Sequence, residues 1–287
     1  MIVPQSFRDM PRFWREGPEW LDALPDLVSF FCTRWGLLVS GVPVHGSNAL
    51  VVPVTRDDVP YALRLTPPVL ASVSGQIDAL RFWDGRGTVL LAEADPEAGV
   101  MLLEWLSSSS LGSVPVPEAM SVLGAVMRRI AVPLATGPRT SDLVAARLTT
   151  VEEQWVSLGR PFPRALLRRA MEAGSRLTGE VPDLAVNGDL HSEQVLRGRR
   201  EPWLVVDPVL LRGDVGFDLG RVLWTRLDEM ADIVGCFDLV VGAAGLERDR
   251  ARDCVVWRAV DYWLWGLGAG LTEDPARCRR LVAAFDG

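Results

Sequence analysis

An α+β chain of two lobes, a small sheet-rich N-terminal lobe and a larger helical C-terminal lobe with a cleft between them, is predicted by three features of the sequence. Runs with strand character and turn signals crowd the first hundred residues, as in NALVVPVTRDDVPYALRLTPP. The composition then changes abruptly at SSSSLGSVPVPE, residues 107–118, which is the clearest boundary in the chain. Beyond it helical periodicity dominates, interrupted only by the short apolar runs LAVNGDL and PWLVVDPVLL. The boundaries read as residues 1–103 for the N-terminal lobe, 104–107 for a hinge and 108–287 for the helical lobe.

The elements follow in order. Residues 18–40 carry apolar side chains at helical spacing and lead into a sheet, with Pro25 a candidate break. Two β-branched runs flank RDDVP, a turn rich in Asp and Pro, and predict a hairpin. A helix through VLASVSGQIDALRFW closes at the DGRG turn, and TVLLAEADPEAGVMLLEWL reads as a second hairpin. Helices are expected at about 119–131, 140–157 and 164–178, and again after PWLVVDPVLL to the end. No repeat or heptad interrupts this order.

Composition excludes several classes. A chain of 287 residues with 48% apolar residues can bury a substantial core. Its formal charge of −7 supplies no basic face for nucleic acid. All 30 basic residues are arginine, because the sequence has no lysine. Four scattered cysteines without a CxxC pair and two histidines make no zinc cluster, and reduced thiols in a cytoplasmic protein are the expectation. The N-terminus has no apolar signal-like segment, and the longest apolar stretches fall far short of the ~18–20 residues of a membrane span, so neither secretion nor membrane insertion is expected.

Two aspartates carry the chemistry. Asp189, in GDLHSEQ, ends one short apolar run, and Asp207, in VVDP, ends the next. A hairpin between them would bring both carboxylates to one side. An ordinary turn Asp looks the same at either position, but the pair in such similar settings points to phosphoryl transfer. There, one Asp orients the attacking hydroxyl, and a second carboxylate with a nearby amide holds Mg²⁺. Gln194 stands where an Asn is expected.

With these residues in place, the chain resembles the aminoglycoside/hydroxyurea phosphotransferases, the bacterial antibiotic kinases that include streptomycin 6-kinases. The resemblance runs through GPEWLDALPDLV, ALRFWDGRGTVLL, MLLEWL, GDLH and EPWLVVDPVLLRGDVGFDLGRVLW. It implies a protein-kinase-like fold, ATP as donor, Mg²⁺, and a small-molecule hydroxyl as acceptor. By position it implies Asp189 as catalytic base, Asp207 with Gln194 at the metal, and Asp214 and Asp218 as the acids of GDVGFDL, for which helix N-capping is the favoured role. HGSNA, with Gly46 and Ser47, matches the loop over the phosphates, and Glu104 through Leu106 to Ser107 matches the hinge whose backbone pairs with adenine.

Four positions depart from the family pattern. Arg64 replaces the strand lysine that reaches the phosphates, and a forked guanidinium cannot occupy the space of a point charge. Gln76 replaces the helix carboxylate that pairs with it, and Gln194 adds a methylene at a metal whose octahedral distances tolerate little error. In WLWGLGAGLTEDP, Gly266, Gly268 and Ala269 stand where acidic residues would meet a polycationic acceptor; Asp228, Glu229, Asp261 and Glu273 remain nearby in sequence. Two readings therefore stand: an ATP- and Mg²⁺-dependent O-phosphotransferase for an acceptor less cationic than an aminoglycoside, or a catalytically degraded kinase fold. The latter would bind a ligand or partner, or serve another step of natural-product biosynthesis.

Overall fold

The computed structural model describes residues 3–10, 18–67 and 72–285. The chain divides into two compact units, Met1–Ser107 with Gly198–Arg200, and Ser108–Arg197 with Glu201–Gly287. The backbone thus passes between units three times, because a three-residue hairpin tip from the second half belongs to the first unit.

The first unit holds helix α1 (Gln5–Arg8), helix α2 (Pro18–Trp35), strands β1 (Leu38–Val39), β2 (Val44–His45), β3 (Leu50–Arg56) and β4 (Val59–Leu65), helix α3 (Ser72–Trp83), and strands β5 (Leu91–Asp95) and β6 (Val100–Glu104). The strands form one antiparallel sheet in the order β1-β3-β4-β6-β5, with β2 also paired to β3. Both sequence periods are visible in its core. Leu50, Val52 and Val54 alternate along β3, while Leu21, Leu24, Val28 and Phe31 recur along one stripe of α2, and all are buried in one cluster. The β3–β4 turn holds Asp57 and Asp58 at φ 50° and 61°, the left-handed pair that a two-residue hairpin requires and that Asp tolerates.

Pro25 does not break its helix, contrary to expectation: α2 continues through it. Proline deprives the carbonyl four residues earlier of its N–H partner. That carbonyl belongs to Leu21, and it accepts instead from Arg8 Nη2 at 3.4 Å, while Arg8 Nη1 reaches Asp22 Oδ1 at 2.7 Å. A side chain from outside the helix replaces the missing donor, and the buried stripe holds the rest.

The second unit is mainly helical: α4 (Val116–Ile130), α5 (Thr140–Leu148), α6 (Val151–Ser157), α7 (Arg164–Leu177), α8 (Leu219–Trp224), α9 (Ile233–Ala244), α10 (Arg248–Gly268) and α11 (Glu273–Ala283). The single helix expected over 140–157 is two helices separated at Thr149–Thr150, where paired β-branched hydroxyl residues bond back to the preceding turn. Close approaches explain two glycines of the sequence. A Cβ at Gly174 would lie 2.7 Å from the buried Trp257 ring, and one at Gly266 would lie 3.2 Å from Pro275. A side chain at Gly266 would thus press on Pro275 of α11, a packing reason for glycine there that is independent of any acceptor. Two small antiparallel ladders complete the unit, β7 (Leu184–Val186) with β10 (Leu211–Gly213), and β8 (Val195–Arg197) with β9 (Trp203–Val205). Among the described residues no helix is long and apolar enough to cross a membrane.

Candidate active site

The second unit builds its site at the end of β7. Asn187 is fully buried and its Oδ1 accepts from the Val209 N–H at 2.8 Å, which ties the segment after β7 to the segment before β10. Gly188 follows at φ 80°, a left-handed turn residue, and a Cβ there would also strike Leu211 at 2.7 Å. The chain thereby presents Asp189, whose side chain is 40% exposed, on a loop with a rigid base.

Both oxygens of Asp189 have partners. Gln194 Nε2 donates to Oδ2 at 3.2 Å. Arg221 Nε, from α8, lies 2.8 Å from Oδ1, an ion-pair contact whose N–H is not aligned on the oxygen. The hairpin between the two aspartates forms as β8–β9, and it continues in the Val206 N–H bond to Gln194 O at 2.9 Å. Gln194 thus touches Asp189 through its side chain, while its backbone bonds the residue preceding Asp207. The structure thus brings Asp189 and Gln194 into side-chain contact and sets the backbone of Gln194 against Val206, the residue before Asp207.

The amide of Gln194 is oriented by this arrangement. With Nε2 turned to Asp189, Oε1 is buried and accepts no hydrogen bond. A buried orphan acceptor is costly unless a ligand satisfies it. An amide oxygen and the carboxylate of Asp207, the residue after Val206, are both hard oxygen donors of the kind Mg²⁺ takes. Among the described residues no group of three or more His, Cys, Asp or Glu is arranged to hold a metal, so such a cation would draw its remaining ligands from phosphate and water.

Asp218 does not cap its helix, contrary to expectation; Asp214 does cap, accepting from the Gly216 N–H at 2.9 Å. Asp218 is 2% exposed and its Oδ1 accepts from the Leu190 N–H at 3.4 Å, so it holds the loop that carries Asp189 from beneath. Burial pushes its carboxyl up to about 6. His191 shifts the other way, to about 4, through burial and the nearby positive charge of Arg221. Arg221 and Arg258 were missed in reading the sequence. Arg258 packs its guanidinium 4.2 Å from the Phe217 ring centroid, and the carboxylates of Asp261, Asp218 and Asp189 oppose the downward pressure of burial on its pKa. The only sequence signal for Arg221 was its place in DLGRVLW.

In the first unit, Arg64 on β4 and Gln76 on α3 meet: Arg64 Nη1 donates to Gln76 Oε1 at 2.6 Å, with both residues buried. Gly46 spends its N–H on the Ala49 carbonyl at 3.1 Å, closing the turn after β2. A Cβ at Gly46 would meet nothing within 4 Å, so this conformation does not itself demand glycine there. Glu104 likewise commits its N–H to the Leu90 carbonyl, and its carboxylate accepts from the Leu90 N–H and from Arg200 Nη2, both at 3.1 Å. Neither amide is available to a nucleotide without breaking an existing bond. Leu106 is buried.

Comparisons with known proteins identify the family and the fold. The chain is 38% identical over 276 residues to the streptomycin 6-kinase of Streptomyces glaucescens, covering 92% of this chain and 90% of that protein. It is 38% identical over 268 residues to the hydroxyurea phosphotransferase of Kitasatospora aureofaciens, covering 91% and 78%. Its fold matches that of the aminoglycoside phosphotransferase APH(4)-Ia, with a TM-score of 0.63 at 16% identity over 90% of this chain and 98% of the other. It also matches the choline kinase LicA of Streptococcus pneumoniae, with a TM-score of 0.62 at 12% identity over 91% and 98%. Both matches place the α+β chain in the protein-kinase-like fold. The pattern shared by aminoglycoside/hydroxyurea antibiotic resistance kinases matches residues 34–270, which include Arg64, Gln76, Asp189, Gln194 and Asp207, and the chain therefore belongs to that family.

Proposed function

We propose that the protein is an O-phosphotransferase of the cytoplasm that moves a phosphoryl group from ATP to a hydroxyl of a small molecule, with Mg²⁺ as cofactor. The observation that carries this reading is the Gln194 amide: one end holds Asp189 and the other is a buried oxygen with no hydrogen bond, on a residue whose backbone carbonyl bonds Val206, next to Asp207 in the chain. The relatives support it. They bear the names streptomycin 6-kinase and hydroxyurea phosphotransferase, and one of the matched structures holds ADP and hygromycin B.

In this reading Asp189 accepts a hydrogen bond from the acceptor hydroxyl, orients it and takes its proton as the new bond to phosphorus forms. Arg221 and Gln194 fix the direction of that carboxylate. Asp207 and Gln194 Oε1 would hold Mg²⁺, which when bound neutralises charge on the phosphoryl oxygens. In the first unit Arg64, held by Gln76, supplies positive charge to the donor phosphates. The loop at Gly46 and Ser47 would cover those phosphates, with its free amides coming from residues other than Gly46. The backbone beyond Glu104, through Leu106, would meet the base. Most of the catalysis is positioning and charge compensation.

Thermal denaturation with and without Mg-ATP tests the reading. Ligand at a hundredfold excess over Kd stabilises by about 2.7 kcal/mol, which for a chain of this size raises Tm by about 5–10 °C. The same titration on Asp207→Ala should lose most of that shift. An unchanged Tm in millimolar Mg-ATP and Mg-GTP, with no heat of binding, would favour the degraded kinase fold.

A further inference from the structure

The DGRG turn, residues 84–87, stands out in the sequence and has no part in the phosphoryl-transfer roles, yet it receives one side chain. After α3 the chain passes through Gly85 at φ 77° and Gly87 at φ 66°, left-handed positions that turn the carbonyls off the helical path. Two carbonyls of this segment bind Arg200: its Nη1 donates to Gly85 O at 2.6 Å and its Nη2 to Thr88 O at 2.9 Å. The same Nη2 lies 3.1 Å from Glu104 Oε2, at the end of β6. A Cβ at Gly85 would sit 3.2 Å from that Nη2 and 2.6 Å from Leu90, so a side chain there would crowd the guanidinium. The Arg200 side chain is 33% exposed, and an ion pair with Glu104 alone would hold little. Two carbonyls and a carboxylate around one planar fork fix its direction as well as its charge.

Arg200 stands at the tip of the β8–β9 hairpin. It belongs with the first unit, whereas the next residue, Glu201, belongs with the second. There Glu201 takes Arg129 of α4 on both oxygens, Nη2 to Oε1 at 3.1 Å and Nε to Oε2 at 3.4 Å. Neighbouring residues at the tip are thus fastened to different units. From the tip the two strands run in register to the root, with Arg197 opposite Trp203 and Val195 opposite Val205, and the Val206 N–H then bonds Gln194 O. So short a ladder transmits a shift of its tip to its root, from which Gln194 and Asp207 extend.

We infer that Arg200, seated in the DGRG turn and on Glu104, is a positioning residue for the site at the root of the hairpin: it fixes the β8–β9 ladder and with it the backbone that carries Gln194 and Asp207. The consequence for ligand binding rests on the phosphotransferase reading, in which those two residues would hold Mg²⁺.

Two measurements on the full chain test it, amide hydrogen exchange without ligand and calorimetry with ATP, each on the parent, Arg200→Gln and Arg200→Lys. Arg200→Gln should speed exchange at the β8–β9 amides and at Val206 by about tenfold or more, and leave the buried amides of α10 unchanged, which separates local loosening from global unfolding. Arg200→Lys keeps the charge for Glu104 but cannot reach both carbonyls, and should fall between. Mg-ATP should bind Arg200→Gln about tenfold more weakly, because Mg²⁺ tolerates little displacement of its ligands, whereas ATP without Mg²⁺ should bind within about twofold of the parent. Parent-like exchange at Val206 in the folded variant, unchanged Mg-ATP affinity, or an equal loss with and without Mg²⁺ overturns the inference. If Arg200→Gln does not fold, Arg200→Lys decides by the same criteria. A parent that binds no Mg-ATP would sink the phosphotransferase reading, while exchange at Val206 still decides whether Arg200 holds the hairpin.

Discussion

Two arginines illustrate two ways of placing positive charge. Arg64, in the first unit, is buried and bonded to the neutral Gln76 at 2.6 Å. Arg221, in the second, is partly exposed and faces the charged Asp189 at 2.8 Å. A buried guanidinium needs acceptors, and an amide oxygen supplies one without supplying a countercharge. A carboxylate supplies both. Gln76 therefore positions Arg64 without contributing any neutralisation, which suits a cation meant to meet phosphate. The Arg221 pair is neutralised at rest, which would suit a group that aims the base of the proposed reaction. The family departures at Arg64 and Gln76 thus keep the cation and its oxygen partner in contact while weakening the pull between them.

Breaking the second pair should have the largest effect. Asp189→Ala removes the proton acceptor and leaves Arg221 beside no carboxylate at that position, and kcat should fall at least about 10²–10⁴-fold. Measurement of product formation under saturating Mg-ATP checks this; turnover equal to the parent's would remove Asp189 from the mechanism.

The support beneath that pair should show in the pH dependence of stability. Asp218 titrates at about 6 when folded, above an ordinary carboxylate, so between about pH 4 and 6 the native state holds a proton that the unfolded state has released. Its contribution is full below the unfolded value and is lost as pH rises through about 6. His191, lowered to about 4, acts oppositely over the same window: the unfolded state binds the extra proton, so its contribution grows as pH rises. In the parent protein the two slopes oppose each other. Denaturant unfolding of Asp218→Asn should therefore show stability rising more steeply with pH than the parent's over this range, and His191→Asn should show it falling relative to the parent. The difference should be on the order of 2–3 kcal/mol across the window for each. Parallel curves for parent and Asp218→Asn would mean that Asp218 is not held at a raised value.

A smaller effect should come from the first pair. Gln76→Ala removes an acceptor from a buried guanidinium and should cost about 1–3 kcal/mol in unfolding free energy. Gln76→Glu adds the countercharge, and together with Arg64→Lys and Gln194→Asn it restores the family pattern. If the first-unit cation serves phosphate, this triple variant should bind Mg-ATP more tightly by calorimetry; weaker binding in a folded triple variant would show that the guanidinium and amide are tuned to each other.

How much of this was legible beforehand differs by residue. The β8–β9 hairpin between the segments of Asp189 and Asp207 was readable because local strand signals encode it, and the proposed roles of Asp189, Gln194 and Asp207 rest on loop motifs of fixed spacing. Capping is the favoured role for both Asp214 and Asp218 in the sequence, but Asp214 alone makes a capping bond while Asp218 is buried, because local sequence does not show which of two acids four residues apart points inward. Arg8 was invisible as the replacement donor for Leu21, and the partners of Asp228 and Asp261 lie 49 and 114 residues away in the chain. Glu104 was placed in the hinge by resemblance, yet the commitment of its amide to Leu90 belongs to strand pairing.

Periodicity, turn chemistry and motif spacing by themselves determined the α+β class, the helical and strand stripes and the hairpin that joins the segments of Asp189 and Asp207. These depend on interactions between residues close in the chain, which a sequence states directly. Tertiary structure alone decided which charges are already spent and which amide oxygen is left unsatisfied. Those outcomes depend on side-chain direction and on partners brought together from distant segments. A hydrogen bond or ion pair is fixed by a few ångströms and degrees of geometry, which residue spacing along the chain does not specify.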